Sequence, residues 1–248
     1  MNKQNSYSII LPTLNEVGHI KNLILDIAKN FLDSKTVFEI IVVDDNSTDG
    51  TIEVLNNLDQ KNLTIHVRTG KHKSLVDSLN EGIVLAKHEY IIWMDADYSH
   101  PPKYILDFIN INKKDNLDVI VCSRFLKDSK RYYDNENLKP VVIDLLSIYL
   151  NKICKFFLFK DFTDYTSGYI CIKASIIKNI ILKGYYGDYF ITLIAKCKSL
   201  NKKILEIPYV ENDRASGKSK TTGNKLNFII KCFFYAVSLC RGFYIKII

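Results

Sequence analysis

Tyr90-Ile91-Ile92-Trp93-Met94-Asp95-Ala96-Asp97 is an apolar run that ends in two carboxylates. Tyr90 to Met94 reads as a short buried strand. An unpartnered buried carboxylate is expensive. Two of them, two residues apart at a strand's end, need a partner, and a divalent cation supplies one. In an open α/β sheet the carboxyl ends of the strands form the ligand crevice. A hard metal held by one or two carboxylates, with substrate phosphates completing its shell, is the usual magnesium arrangement. The segment therefore points to phosphate chemistry.

Working outward, strands and helices alternate. Tyr7 to Leu11 is an apolar strand closed by Pro12, with Asn15 and Glu16 at the junction to a helix over Val17 to Leu32. Phe38 to Val43 is a second strand, followed by the loop Asp44-Asp45-Asn46-Ser47-Thr48-Asp49-Gly50 and a helix from Thr51. Leu63 to Val67 is a third strand, Leu75 to Ala86 a helix, and Tyr90 to Met94 the fourth strand. Pro101-Pro102 opens another helix, since proline is tolerated in a first turn, and Leu117 to Cys122 is a fifth strand ending at Ser123-Arg124. This alternation predicts an α/β fold whose sheet is mostly parallel and flanked by helices.

The 248 residues are 47% apolar, enough for one large domain or two small ones. No repeat or low-complexity linker interrupts them. The expected organisation is a catalytic domain over 1–225 and a C-terminal amphipathic helix over 226–248. A charge of +7 spread along the chain fits phosphates or an anionic membrane surface, not nucleic acid, which calls for a localised basic stripe. The six cysteines form no C-x-x-C pair, so they read as reduced residues of a cytosolic protein. The polar N-terminus carries no signal-peptide pattern. The five histidines lack metal-ligand spacing; His100 reads as structural.

Leu138 to Phe159 and Leu226 to Ile248 are apolar with scattered cations, and only nine uncharged residues separate Lys231 from Arg241. A spanning helix needs about 20 mostly apolar residues. Both segments suit helices lying in a membrane interface, with ordinary core helices as the alternative.

The acidic pair Asp44-Asp45 is more than capping requires, while Thr48 or Asp49 suits an N-cap. The pair is expected at the same sheet edge as Asp95 and Asp97, accepting hydrogen bonds from a base or ribose. Neither G-x-G-x-x-G nor G-x-x-x-x-G-K-[ST] is present, so a nucleotide must be held by strand ends and a metal.

These residues carry a family resemblance. Ile10-Leu11-Pro12-Thr13-Leu14-Asn15-Glu16, Val42-Val43-Asp44-Asp45-Asn46-Ser47-Thr48-Asp49-Gly50 and Met94-Asp95-Ala96-Asp97-Tyr98-Ser99-His100-Pro101-Pro102 resemble family 2 glycosyltransferases of the GT-A fold. Cys122-Ser123-Arg124-Phe125, Asp164-Tyr165-Thr166-Ser167-Gly168-Tyr169 and Arg214-Ala215-Ser216-Gly217-Lys218-Ser219-Lys220 follow in the order of the dolichol-phosphate mannose synthases and bacterial polyprenyl-phosphate sugar transferases. The resemblance spans about residues 7 to 221 and implies a GT-A nucleotide-diphospho-sugar transferase fold.

The resemblance implies roles by position. Pro12, Thr13, Asn15, Glu16, Val43, Asp44, Asp45, Lys71, Asp95, Ala96 and Asp97 would hold the nucleotide sugar, a GDP- or UDP-linked hexose with mannose or glucose as candidates. Asp95, Asp97 and Ser99 would bind Mg2+ or Mn2+. Arg124, Ser167, Gly168, Asp188, Arg214 and Lys220 would serve the diphosphate and the acceptor phosphate, with Asp97 and Arg124 as the catalytic pair. Arginine gives bidentate phosphate contacts and lysine a movable charge. Residues 214–220 would form a lid, against the alternative of a solvated loop.

The implied reaction is inverting transfer to a polyprenyl phosphate at the cytoplasmic face of a membrane by a peripheral enzyme. A small membrane-protein partner is compatible with it. A lipid phosphate needs no general base, whereas a sugar hydroxyl does. The Q-x-x-R-W motif of processive synthases is absent; the one tryptophan is Trp93. Transfer to a saccharide hydroxyl is the alternative. Three departures stand out: Arg68 to Leu75 lacks most of the family's glycines, Ile170 replaces an arginine, and the later glutamate is missing, with Asp188 as a substitute.

Overall fold

A computed structural model describes residues 5–130, 138–212 and 225–248. Seven strands form one sheet in the order β3-β2-β1-β4-β6-β5-β7. They are β1 (Ser6–Thr13), β2 (Val37–Asp44), β3 (Leu63–Val67), β4 (Tyr90–Trp93), β5 (Val119–Ser123), β6 (Ile170–Lys173) and β7 (Ile204–Pro208). All neighbours run parallel except β6, which is antiparallel to both β4 and β5. The helices are α1 (Ile20–Asp33), α2 (Thr51–Asn56), α3 (Leu75–Leu85), α4 (Tyr104–Asp115), α5 (Leu138–Phe157), α6 (Ala174–Ile177), α7 (Tyr189–Ser199) and α8 (Lys225–Ile247).

The period of two along each strand sends alternate side chains to opposite faces. Ile9 and Leu11 face one apolar layer with α1 and α4, while Ile10 joins the other with α3 and α7. Ile41 and Val43 against Ile40 and Val42 repeat the split. Both faces are covered, which explains why these strands are continuously apolar.

The chain turns from β1 to β2 and β3 on one side, then crosses to β4 on the other. This reversal opens a crevice at the carboxyl edge between β1 and β4, the usual ligand position of such sheets. Gly82 lets α3 lie close on the sheet below it. A Cβ there would stand 2.5 Å from Ile10 Cγ2 and 3.2 Å from Val43 Cγ2.

β6, β7, α6 and α7 have no counterpart among the strands and helices expected from sequence. α8 docks beside α7, burying Lys231, Ser238 and Gly242, and Tyr235 and Leu239 pack on the core. Among the described residues no helix is long and apolar enough to cross a membrane. Cys122, Cys154, Cys171 and Cys197 are buried thiols, and Cys232 and Cys240 are exposed ones.

Candidate active site

The crevice is built from three strand ends. β1 ends at Thr13, paired with Asp44 of β2, and the Asp45 amide donates to the Thr13 carbonyl across 2.8 Å. β4 ends beside Ile10, with Asp95 and Asp97 just past it. The sequence therefore brings Thr13, Asp44, Asp45, Asp95 and Asp97 to one edge.

Asp97 is buried and its Oδ1 accepts from the Ser99 amide at 3.1 Å. Asp95 is half-buried, and its amide donates to His100 Nδ1 at 3.0 Å. That bond requires Nδ1 to be unprotonated. The His100 ring is stacked on Tyr169, with centroids 4.9 Å apart, so a core aromatic layer sets the turn that carries Asp95. Tyr98 adopts the left-handed region, φ 66°, and its hydroxyl donates to Asp26 at 2.6 Å. Its ring is thus held outward while Asp97 turns in.

Two carboxylates and the Ser99 hydroxyl make a hard oxygen donor set. Among the described residues no cluster of three His, Cys, Asp or Glu side chains could hold a metal alone. The set fits a cation that takes the rest of its shell from phosphate and water. Bound there, a divalent cation would supply charge neutralisation for a phosphate ligand.

The acidic pair after β2 divides its work. Asp44 is wholly enclosed; its oxygens accept from the Ser47 amide at 2.7 Å and the Ser47 hydroxyl at 2.6 Å. It shapes its own loop. The Val43 side chain is fully buried with Leu79 and Ile83, as the alternation along β2 dictates. Asp49 accepts from the Thr51 amide at 3.0 Å, but the N-cap of α2 is Gly50, φ 98°, with no side-chain cap bond, which corrects the expectation of Thr48 or Asp49 in that place.

Asp45 is gripped from two sides. Arg68 Nη1 lies 2.5 Å from Oδ1, and the Ser74 amide donates to Oδ2 at 2.6 Å. Arg68, itself buried, also donates from Nε to Glu81 at 3.0 Å. Glu81 collects Lys71 at 2.9 Å and His66 at 2.7 Å as well. Burial raises the Glu81 carboxyl, but these three partners outweigh it and bring it down to about 2. A cavity of about 400 Å³ opens here beside Lys71, His72 and Asn80. Sequence reasoning missed Arg68 and Glu81. The one signal for Arg68 was its place at the head of a charged segment where the family carries glycines.

At the β1–α1 junction, Asn15 takes a left-handed turn, φ 55°. Its amide donates to Ser47 Oγ at 2.7 Å and its Oδ1 accepts from the Thr48 amide at 2.9 Å. The Glu16 amide donates to Thr51 Oγ1, and its carboxylate lies 2.8 Å from His19 Nε2. Thr13 is buried and its hydroxyl donates to the Leu11 carbonyl. Pro12 is half-buried beside it and Ala96 is buried behind the acidic turn.

On the acceptor side, Arg124 makes a fork on Asp164, with Nε–Oδ2 2.8 Å and Nη2–Oδ1 2.9 Å. Nη2 also reaches Thr166 Oγ1 at 2.8 Å, and Nη1 reaches Glu211 at 3.4 Å. Burial pushes Asp164 up, yet the Arg124 guanidinium wins and holds it below the usual carboxylate range. Arg124 therefore serves first as the clamp between β5 and the 163–168 turn. Ser167 caps that turn by donating to the Cys122 carbonyl, and Gly168 follows with φ 74°. Asp188 is buried and accepts from the Tyr185 and Tyr186 amides and from Ser238 of α8 at 2.8 Å. The clamp partners Asp164 and Glu211 were not singled out from sequence, although Asp164 lies inside a quoted motif. Arg214 and Lys220 fall outside the described residues. The segment leading to them is anchored at the acidic turn, where the Asn212 amide donates to the Ser99 carbonyl at 3.1 Å.

The chain is similar to several known proteins. A dolichol-phosphate mannosyltransferase of Pyrococcus furiosus is 29% identical over 219 residues, 88% of this chain and 60% of that protein. One from Saccharomyces cerevisiae is 36% identical over 104 residues, 40% of this chain and 38% of it. The chain thus spans under two thirds of the length of either relative. In fold it is similar to glucosyl-3-phosphoglycerate synthase of Mycobacterium tuberculosis, solved with Mn2+, uridine diphosphate and phosphoglyceric acid. The TM-score is 0.67 at 16% identity, covering 96% of this chain and 78% of that one. A second structure of that synthase holds Mg2+ and uridine diphosphate, with a TM-score of 0.64 at 15% identity, covering 96% of this chain and 79% of that one. The glycosyl transferase family 2 model matches residues 8–181. The chain belongs to glycosyl transferase family 2, and its fold is GT-A.

Proposed function

We propose that this enzyme moves a hexose from a nucleotide-diphosphate sugar to a polyprenyl phosphate at a membrane surface. Asp95, Asp97 and Ser99 hold Mg2+ or Mn2+ against the donor diphosphate. Thr13, Asp45 and the Asn15–Glu16 turn hold the nucleotide. Arg214 and Lys220 meet phosphate charge from the segment that starts beside Ser99.

One observation carries the choice of acceptor. The carboxylates on the acceptor side, Asp164 and Asp188, are both committed to internal donors. A sugar hydroxyl requires a base to take its proton; a lipid phosphate arrives as an anion and requires only positioning and charge neutralisation. The likeness to dolichol-phosphate mannosyltransferases supports the same reading. In-line attack of the phosphate oxygen on the anomeric carbon breaks its bond to the nucleotide diphosphate and inverts that carbon. The exposed apolar residues of α5 and α8, among them Phe156, Phe157, Phe243 and Ile247, suit a peripheral enzyme on the cytoplasmic face.

Replacing Asp97 tests the reading. Asp97→Ala is expected to abolish lipid-linked product while melting remains cooperative. Retained transfer by the folded variant would refute it.

A further inference from the structure

A groove of about 860 Å³ lies between α7, α8 and residues 180–183. Leu182 and Leu193 are buried along it, while Phe233 and Tyr244 stand exposed. Lys183, Lys196 and Arg241 line it too, and no acidic residue is among the described lining residues. The groove does not come from a loosely seated helix. On the opposite side of α8, Ser238 is bonded to Asp188 at 2.8 Å, and a Cβ on Gly242 would touch Ala195 and Leu158 at 3.4 Å. One face of α8 is keyed into the body, and its neighbour stays open.

We propose that this groove holds an aliphatic tail of an anionic bilayer phospholipid, whose headgroup is drawn by Lys183, Lys196 and Arg241. Charge argues for this occupant: an apolar channel whose charged lining residues, among those described, are all cations selects an apolar chain with a negative head. Continuity argues for it as well. The same helix carries exposed Phe243 and Ile247 near its end, with exposed Ile248 just past it, and Phe243 meets Phe157 of α5 with ring centroids 6.3 Å apart. Lys246 Nζ ties the two ends by donating to the Phe157 carbonyl at 3.0 Å. An apolar face of this kind, bordered by cations, sits at a headgroup boundary. The inference goes beyond sugar transfer, because lipid capture needs neither nucleotide nor metal.

Flotation of the full chain with vesicles, without nucleotide, tests it. Binding is expected to vesicles of phosphatidylcholine with phosphatidylglycerol and not to phosphatidylcholine alone. Each cation near an anionic surface contributes about fivefold to partitioning. The triple variant Lys183→Gln, Lys196→Gln, Arg241→Gln is therefore expected to bind about 100-fold more weakly. Ala236→Trp, which plugs the groove from an exposed helical position, is expected to weaken binding with unchanged melting. Equal binding to both vesicle types, or binding indifferent to Ala236→Trp and to the triple variant, would overturn the proposal. So would a lipid-free dimer that Ala236→Trp dissociates, since a second copy would then fill the groove. Failure of sugar transfer alone would leave this result standing.

Discussion

The Trp93 indole Nε1 donates to the Tyr189 hydroxyl across 3.0 Å, and both side chains are buried. The bond ties the first residue of α7 to the last residue of β4, two positions before Asp95. Asp188, next in the chain to Tyr189, is bonded in turn to Ser238 of α8. The helix pair and the acidic turn are thus joined through buried polar contacts. Tyr189→Phe leaves the indole N–H without its acceptor, a loss of about 1–3 kcal/mol. Chemical denaturation should show it as a lower midpoint with an unchanged slope.

Gly82 sits where α3 crosses β1 and β2, with no room for a methyl group against Ile10. Gly82→Ala gains helix propensity but overpacks the contact. The expected net effect is destabilisation of about 1–3 kcal/mol, read from thermal melting. An unchanged or higher melting temperature would show that α3 can shift outward freely.

Glu81 gives a pH signature. Its partners hold the folded carboxyl at about 2, against an ordinary 4.5. A depressed acid stabilises the fold above its unfolded pKa, and that contribution fades as pH falls toward the folded one. The stability difference between the protein and Glu81→Gln should therefore be full above about pH 4.5 and shrink toward pH 2. Urea titrations at a series of pH values measure it, and a constant difference would mean that the pairing with Arg68 and Lys71 does not form.

The Arg124–Asp164 fork predicts an asymmetry between two variants. Asp164→Ala strands a buried guanidinium, a loss of about 3–5 kcal/mol. Joint replacement by Arg124→Met and Asp164→Leu removes both charges and should restore much of the stability. A double-mutant cycle reads the coupling. Near-additive losses would mean that the two side chains act independently.

How far the sequence reached depends on which residues are asked. The β3 bounds, Leu63–Val67, match the expected ones because turn residues punctuate the run on both sides. β1, β2 and β4 differ by one or two residues, since their apolar runs are buried on both faces. β7 escaped notice because Ile204-Leu205-Glu206-Ile207-Pro208 is a half-exposed edge strand, with a charge in its centre and a proline at its end. α7 escaped because the tyrosine- and glycine-rich turn before it hides its start, although Phe190, Leu193, Ile194 and Cys197 keep helical spacing.

The position of Asp95 and Asp97 at the end of β4 was legible from local pattern alone. The role of Asp45 was not. Its partner Arg68 lies 23 residues away on the far side of β3, and long-range pairing leaves no local periodicity. Asp44 and Asp45 are adjacent and chemically identical, yet the pleat sends one into its own loop and the other to Arg68. The Arg124 clamp was not legible either, because its carboxylate partner comes 40 residues later.

The most direct measurement incubates the protein and Mg2+ or Mn2+ with a panel of nucleotide sugars and a polyprenyl phosphate, with mass detection of lipid and water-soluble products. The account predicts a polyprenyl-phosphate hexose from at least one donor, lost in Asp97→Ala and on chelation of the metal. A sugar transferred only to saccharide hydroxyls, with the lipid phosphate left unmodified under every donor, would contradict it.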